Sequence, residues 1–192
     1  VGCNDGRFLG YVHKKHPGSV LCGADFARNP LRMLKGKPIG AFPVCCDISD
    51  MPFRPGSFDG AVSIQTVQQV PSRDERRRVL KGIHAVLKKQ GVFVLTVLNQ
   101  ATWFNLVENG KEGPLLTAKD LHVFLYNETD LAEELEDACF SVGHITGINN
   151  LPAGYLKRLG PVGVLLDRCI TLSLRRLSLR KGRYLLAACA KP

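Results

Sequence analysis

Several things are missing from this sequence, and each absence narrows the reading. No run approaches the ~18 consecutive apolar residues of a membrane-crossing helix, and no signal peptide opens the chain. No two cysteines stand in C-x-x-C spacing, and no His, Cys, Asp or Glu group has metal-ligand spacing, so no metal is expected. The G-x-G-x-x-G fingerprint of dinucleotide binding is absent, as is the Gly-Lys-Ser/Thr that ends a P-loop. The 19 Gly and 11 Pro follow no period, which excludes collagen-like and solenoid architectures. What remains is 192 residues, 45% hydrophobic and 22% charged. That is one domain's worth of chain with enough apolar material for a core, not a disordered tail. Seven cysteines could suggest a disulfide scaffold. The number is odd, Cys45 and Cys46 are adjacent, and a chain of this length needs no staples, so a reduced cytoplasmic protein is expected.

The formal charge is +9, from 26 Lys and Arg against 17 Asp and Glu. Such a balance invites a nucleic-acid reading. Its distribution weakens that reading. Residues 1–150 carry nearly equal numbers of each sign, whereas residues 151–192 hold Lys157, Arg158, Arg168, Arg175, Arg176, Arg180, Lys181, Arg183 and Lys191 against Asp167 alone.

Short apolar runs alternate with helical patterns. Val20–Gly23 leading to Asp25, Phe58–Ile64 and Val92–Leu98 read as strands, the last too continuous to be half-exposed. Val142–Gly147 and Tyr184–Ala188 read as two late strands. Phe8–Lys15 and Pro30–Lys35 are short helical patterns. Arg73–Lys89 is amphipathic, with Val79, Leu80, Ile83, Val86 and Leu87 at helical spacing; Ser72 or Arg73 opens it and Gly91 closes it. Thr129–Ala138 is another helix, with Thr129 as its expected N-cap. Buried strands separated by helices predict an α/β fold with a parallel sheet covered on both faces.

The chain opens Val1-Gly2-Cys3-Asn4-Asp5-Gly6-Arg7-Phe8, a glycine turn running straight into a helix. By itself this is an ordinary strand-to-helix turn. Three further features follow in order. Gly23-Ala24-Asp25 ends the next strand ~20 residues on, where an acidic side chain accepts from ribose hydroxyls in nucleotide-binding α/β folds. Asp47-Ile48-Ser49-Asp50-Met51-Pro52-Phe53 runs on to Ser57-Phe58-Asp59, and Val86-Leu87-Lys88-Lys89-Gln90-Gly91 joins the amphipathic helix to the next strand.

Over about residues 1–98 these blocks together resemble the class I S-adenosylmethionine-dependent methyltransferases of the methyltransferase-11 type; the block from Asp47 to Asp59 is the most specific. The resemblance implies a doubly wound, mostly parallel seven-stranded-type sheet with an antiparallel last strand, in a Rossmann-like fold. It implies a single domain over 1–192, with residues 1–98 the cofactor-binding half and 99–127 and 149–182 substrate or lid inserts. It implies S-adenosylmethionine as cofactor, with Gly2, Cys3, Asn4 and Gly6 under its methionine part. Asp25 would hold the ribose hydroxyls with Phe26 beside the adenine. Asp47 and the Ile48 backbone would meet the adenine amino group, and Ser63, Ile64 and Gln65, just past their strand, would line the pocket near the reacting methyl. Phe53 and Phe58 are expected in the core.

The sequence departs from the family at three places. Asn4 stands where the family has its middle glycine, and Asn is the non-glycine residue that best tolerates positive φ, so Asn4 is expected there. Only Val1 precedes Gly2, so the family's first strand is expected to be largely missing and the chain N-terminally incomplete. Gln68-Gln69 replaces a common His pair, and neither can act as a general base. Candidate bases are His122 and then His144, whereas His84 reads as surface or structural.

Substrate specificity is expected in the inserts. Trp103 and Phe104 either line an acceptor pocket or form a packing cluster. Leu165, Leu166, Cys169, Ile170, Leu172, Leu174, Leu177 and Leu179 alternate with arginines, a basic amphipathic helix that either packs on the core or faces a lipid-like substrate or an anionic membrane surface over 161–180. The expected activity is methyl transfer to a small-molecule or lipid-like acceptor. The alternatives are a tRNA-modifying methyltransferase, suggested by Ser63-Ile64 and Glu75-Arg76-Arg77, and a non-catalytic binding module on a degenerate methyltransferase fold.

Overall fold

The structure is a computed structural model that describes residues 1–101, 115–117, 121–148, 153–176 and 182–192. From the N-terminus its elements are α1 (Arg7–Lys15), β1 (Cys22–Asp25), α2 (Arg28–Lys35), β2 (Phe42–Cys45) and β3 (Phe58–Ile64). A 3-10 turn (Val67–Gln69) leads to α3 (Arg73–Val86) and β4 (Leu87–Leu98). There follow β5 (Leu115–Thr117), β6 (Leu121–Val123), α4 (Glu128–Asp137), β7 (Ser141–Ile148), α5 (Ala153–Arg176) and β8 (Tyr184–Ala190).

β1 and β2 form a parallel pair, and β3, β4, β8 and β7 form a second sheet in that order. β3 runs parallel to β4, and β8 is antiparallel to both of its neighbours. The expected parallel sheet with one reversed late strand is therefore present. Val1–Cys3 lies between the two sheets: the Val1 amino group donates to Val62 O at 2.8 Å and Cys3 N–H to Ala24 O at 3.1 Å. One face of the larger sheet carries the main core. Phe93, Leu95 and Val97 of β4 and Leu185, Ala187 and Cys189 of β8 meet Val79, Leu80 and Ile83 of α3 and Leu131 and Leu135 of α4, all buried.

Helix boundaries differ from the sequence reading at several places: α1 and α2 begin earlier, at Arg7 and Arg28, and the end of α3 and the start of α4 also move. The amphipathic helix ends at Val86, not Lys89, because Leu87 turns extended (φ −75, ψ 144) and pairs with Phe58. Gly91 therefore closes no helix. It lies in a bulged turn in which Gln90 takes positive φ (62), and a Cβ on Gly91 would sit 2.8 Å from Lys88 O. The helix end is capped from elsewhere: Gly56 and Ser57 N–H donate to Ala85 and Val86 O, and Lys191 Nζ donates to His84 and Leu87 O. At its start, Ser72 and Glu75 form a full capping box. In α4 the N-cap is Asn127, not Thr129; its side chain accepts from Asp130 N–H at 2.8 Å, and Asn ranks above Thr in this role.

Three strands were not anticipated, namely β2 and the two of the β5–β6 hairpin. The late basic segment is helical to Arg176 but broken at Gly160 (φ 50, ψ −131), just before Pro161, which has no N–H to continue the ladder. Val162, Val164, Leu165, Leu166 and Leu172 are exposed beside Arg168, and residues 177–181 lie outside the described set.

Candidate active site

The N-terminal turn is built from left-handed residues. Gly2 (φ 65), Asn4 (φ 48) and Gly6 (φ 75) all adopt positive φ, so Asn4 keeps the backbone expected of it. Gly2 has a second constraint, since a Cβ there would collide with the Thr66 side chain at Oγ1. The turn is thus pressed against the segment that leaves β3. That segment is also left-handed at Gln65 (φ 55), whose N–H donates to Thr96 O at 2.9 Å. Two non-glycine residues in a sparsely populated region, on facing loops, mark this end of the sheet as a place where backbone is held against its preference.

Asp25 ties the turn to β1. Its Oδ2 accepts from Asn4 N–H at 2.7 Å and its Oδ1 from Ala27 N–H at 2.9 Å. The residue is only 7% exposed, yet each oxygen keeps a lone pair for a further donor. Phe26, next in sequence, is 78% exposed. Asp47 follows β2 and is exposed; its Oδ1 accepts from Ser49 N–H and Oγ, both at 2.8 Å, which holds its carboxyl below the ordinary range. Ile48 packs half-buried against the main core.

Cys3 is half-buried, and a Cβ on Gly23 would meet its Sγ at 2.8 Å. Burial, with the nearby Asp25 charge, pushes its thiol up to about 11, so it is a neutral thiol at physiological pH and no nucleophile. Ser63 lies within β3, not past it, and is 1% exposed, with no hydrogen-bond partner for its hydroxyl among the described residues. Ile64 is the strand's last residue and is exposed. Gly2, Cys3, Asn4, Gly6, Asp25, Phe26, Gln65 and Asp47 therefore gather around the carboxyl ends of β1, β2 and β3, where open α/β sheets bind ligands. Phe53 and Phe58 form an edge-to-face pair at 5.0 Å, Phe58 packing on the core.

The candidate bases fare differently. His122 pairs with Leu116 in the β5–β6 hairpin, and the surroundings of its side chain lie outside the described residues, as do Trp103 and Phe104 entirely. His144 stands in β7 opposite Ala188. His84 packs edge-to-face on Phe140 at 5.1 Å, and burial lowers its pKa, in keeping with a structural role.

Sequence reasoning missed the polar scaffold behind the site. Arg76 is 2% exposed and forks onto Glu134 (Nη2 to Oε1 2.7 Å), itself 2% exposed. Tyr126 Oη donates to Glu134 Oε2 at 2.7 Å, and the Arg76 guanidinium lies 4.0 Å from the Phe124 ring centroid. Arg76 also donates to Val70 and Pro71 O, and Gln68 Oε1 accepts from Leu98 N–H at 2.6 Å. The turn after β3 is thereby fixed to residues 123–126, where the long insert returns. Arg76 sits among exposed arginines of one helix, and nothing in its spacing marks it as the buried one.

Comparison with known proteins places this geometry. The family described as "Methyltransferase domain" matches residues 1–95. The chain is similar to the tRNA (carboxymethyluridine(34)-5-O)-methyltransferase alkbh8 of Xenopus tropicalis, 31% identical over 97 residues, 50% of this chain and 14% of that protein. It is similar to the arginine-hydroxylase NDUFAF5, mitochondrial, of Homo sapiens, 30% identical over 106 residues, 55% of this chain and 30% of that protein. The chain thus spans less than a third of either relative. Among solved structures it superposes on a SAM-dependent methyltransferase of Methanosarcina mazei with TM-score 0.71 and 17% identity, covering 99% of this chain and 89% of that one. The shared fold is Rossmann-like.

Proposed function

We propose, from the premise that the chain belongs to the methyltransferase domain family over residues 1–95, that it binds S-adenosylmethionine and directs its methyl group to an acceptor by in-line displacement. The observation that carries this reading is the Asp25 carboxylate, buried, bonded to the Asn4 and Ala27 amides, and still able to accept from two ribose hydroxyls. The residues present fit the group. A side-chain-free approach at Gly2, the left-handed Asn4 and Gly6, the exposed Phe26 ring and the free Oδ2 of Asp47 together suit an uncharged sugar, an adenine and an amino-acid tail. Asn4 kept in its glycine-like conformation supports a working site over a degenerate one.

The bound cofactor supplies a methyl on a sulfonium, an electrophile that needs no activation by the protein. The chain's own task is to position and to exclude water. Gly2 to Gly6 would lie beneath the methionine part, and Asp25 would accept from the ribose. Phe26 would cover the adenine, Asp47 would accept from its amino group and the Ile48 backbone would lie beside it. Gln65, fixed at positive φ, would face the reacting end, with Ser63 behind it.

For the acceptor, a tRNA is the reading with support beyond the fold, since a curated relative carries a tRNA activity in its name. A small-molecule or lipid-like acceptor rests on insert residues such as Trp103 and Phe104, which lie outside the described residues. Calorimetric titration with S-adenosylmethionine and S-adenosylhomocysteine tests the first claim: saturable binding of both, abolished in Asp25→Ala, is expected, and no binding of either overturns it. Transfer of a radiolabelled methyl to unmodified tRNA, against a lipid extract as the rival acceptor, tests the second.

A further inference from the structure

The near-neutrality of residues 1–150 conceals a segregation of charge. Residues 6–46, which form α1, β1, α2 and β2, contain Arg7, Lys14, Lys15, Arg28, Arg32, Lys35 and Lys37 with Asp25 as their one carboxylate. Neither α1 nor α2 contains an acidic residue. Five ion pairs form among the described residues: Lys37 with Asp5, Arg73 with Glu133, Arg76 with Glu134, Arg77 with Asp137 and Lys88 with Asp59. Arg28, Arg32 and Lys35 are not among them, and they stand together. They are exposed, they meet no carboxylate among the described residues, and Arg32 reaches only Asn29 Oδ1 at 3.5 Å. All three line one groove of about 430 Å³ between α2 and β2, floored by Leu31, Pro43 and Cys45.

The groove borders the proposed adenosine end of the site, because Cys45 Sγ donates to Phe26 O. β2 is the outer strand of its pair, which raises the question of a partner strand added to it. The backbone argues against that. Phe42 and Cys46 N–H point inward, to Leu21 and Asp25 O, so alternation gives Pro43 an outward position, where it has no N–H to offer. What this edge offers is side-chain charge, and unpaired guanidinium and ammonium groups on a shallow apolar floor suit phosphodiesters.

We propose that the α2–β2 groove is an RNA-backbone contact site, in which Arg28, Arg32 and Lys35 hold phosphates of an RNA whose target base reaches the site past β3. This rests on the reading of RNA as acceptor. The contact is electrostatic and positions the RNA without reading its sequence.

The test uses the full chain and a fluorescein-labelled unmodified tRNA transcript, with anisotropy measured across a salt series. Removing all three charges (Arg28→Gln, Arg32→Gln, Lys35→Gln) is expected to weaken binding at least about tenfold at moderate salt and to reduce the slope of log K against log salt by about 2 to 3. S-adenosylmethionine affinity by calorimetry serves as the fold control and is expected to be unchanged. The pair Arg73→Gln and Arg78→Gln, on α3, is expected to change tRNA binding less than the groove variant. Unchanged tRNA affinity in the groove variant overturns the assignment. Equal affinity of the wild type for polyglutamate, with the same salt slope, also overturns it in favour of an acidic protein partner. Absence of any tRNA binding at low salt overturns both the groove and the RNA acceptor, while intact S-adenosylmethionine binding leaves the methyltransferase reading standing.

Discussion

The four-stranded sheet and the β1–β2 pair are packed to different standards. The four-stranded sheet and its helices α3 and α4 hold a continuous core, whose fully buried members run from Val67 to Cys189. The β1–β2 pair with α1 and α2 buries Leu21, Ala24, Leu31 and Leu34, and α1 buries no residue at all. Yet the residues that gather at the candidate cofactor site come mostly from the lightly packed part. A rigid, well-filled half supports a half held together by turns, backbone amides and one carboxylate. Local stability follows buried apolar contact, so the first 46 residues are expected to open more readily than the rest and to be tightened by ligand.

That contrast can be broken by experiment. The largest effect is expected in the scaffold. Glu134→Ala leaves the buried Arg76 guanidinium uncompensated and should cost about 3–5 kcal/mol in urea unfolding. If the mutant stays folded, its S-adenosylmethionine affinity should fall much less than its stability. Asp25→Ala should show the reverse. Losing an acceptor for the Asn4 and Ala27 amides costs about 1–3 kcal/mol, but ligand binding should vanish from calorimetry. A smaller and more local test is Asn4. Asn4→Gly should be nearly neutral in both stability and binding, whereas Asn4→Val, a β-branched residue at φ 48, should cost about 1–3 kcal/mol and lower affinity. Equal behaviour of the two variants would show that the turn is not strained.

The smallest effect is a titration. The Cys3 thiol is raised from 9.0 to about 11, so the folded state favours its neutral form. The resulting stabilisation is fully present below pH 9 and is lost as the pH rises towards 11. Alkylation of Cys3 by iodoacetamide, followed by mass spectrometry, should therefore stay slow at pH 8 and accelerate only as pH 11 is approached. Fast modification at pH 8 would mean that the turn is open in solution.

Much of the fold was legible because its signals are local. Continuous apolar runs marked β3 and β4, helical spacing marked α3, and motif order located Asp25 and Asp47. The errors came where a distant partner decides. Helix α3 stops at Val86 because Leu87 finds Phe58 across the sheet, and a helical pattern cannot register that pairing. β2 is short and contains a proline, so nothing in its four residues announces a strand until β1 lies beside it. Averaging charge over 150 residues likewise hid a basic block on two helices, balanced by acids that fold elsewhere.

The sequence by itself determined the class of fold, the turn chemistry of Gly2 to Gly6 and the positive φ of Asn4, because these follow from periodicity, from the resemblance to a family motif and from what one residue's backbone permits. Only the tertiary structure decided that Thr66 closes over Gly2, that Arg76 among its neighbouring arginines is the buried one, and that Arg28, Arg32 and Lys35 stand together in one groove. Pairing and burial depend on residues dozens of positions apart meeting in space, and spacing along a chain carries no record of which ones will meet.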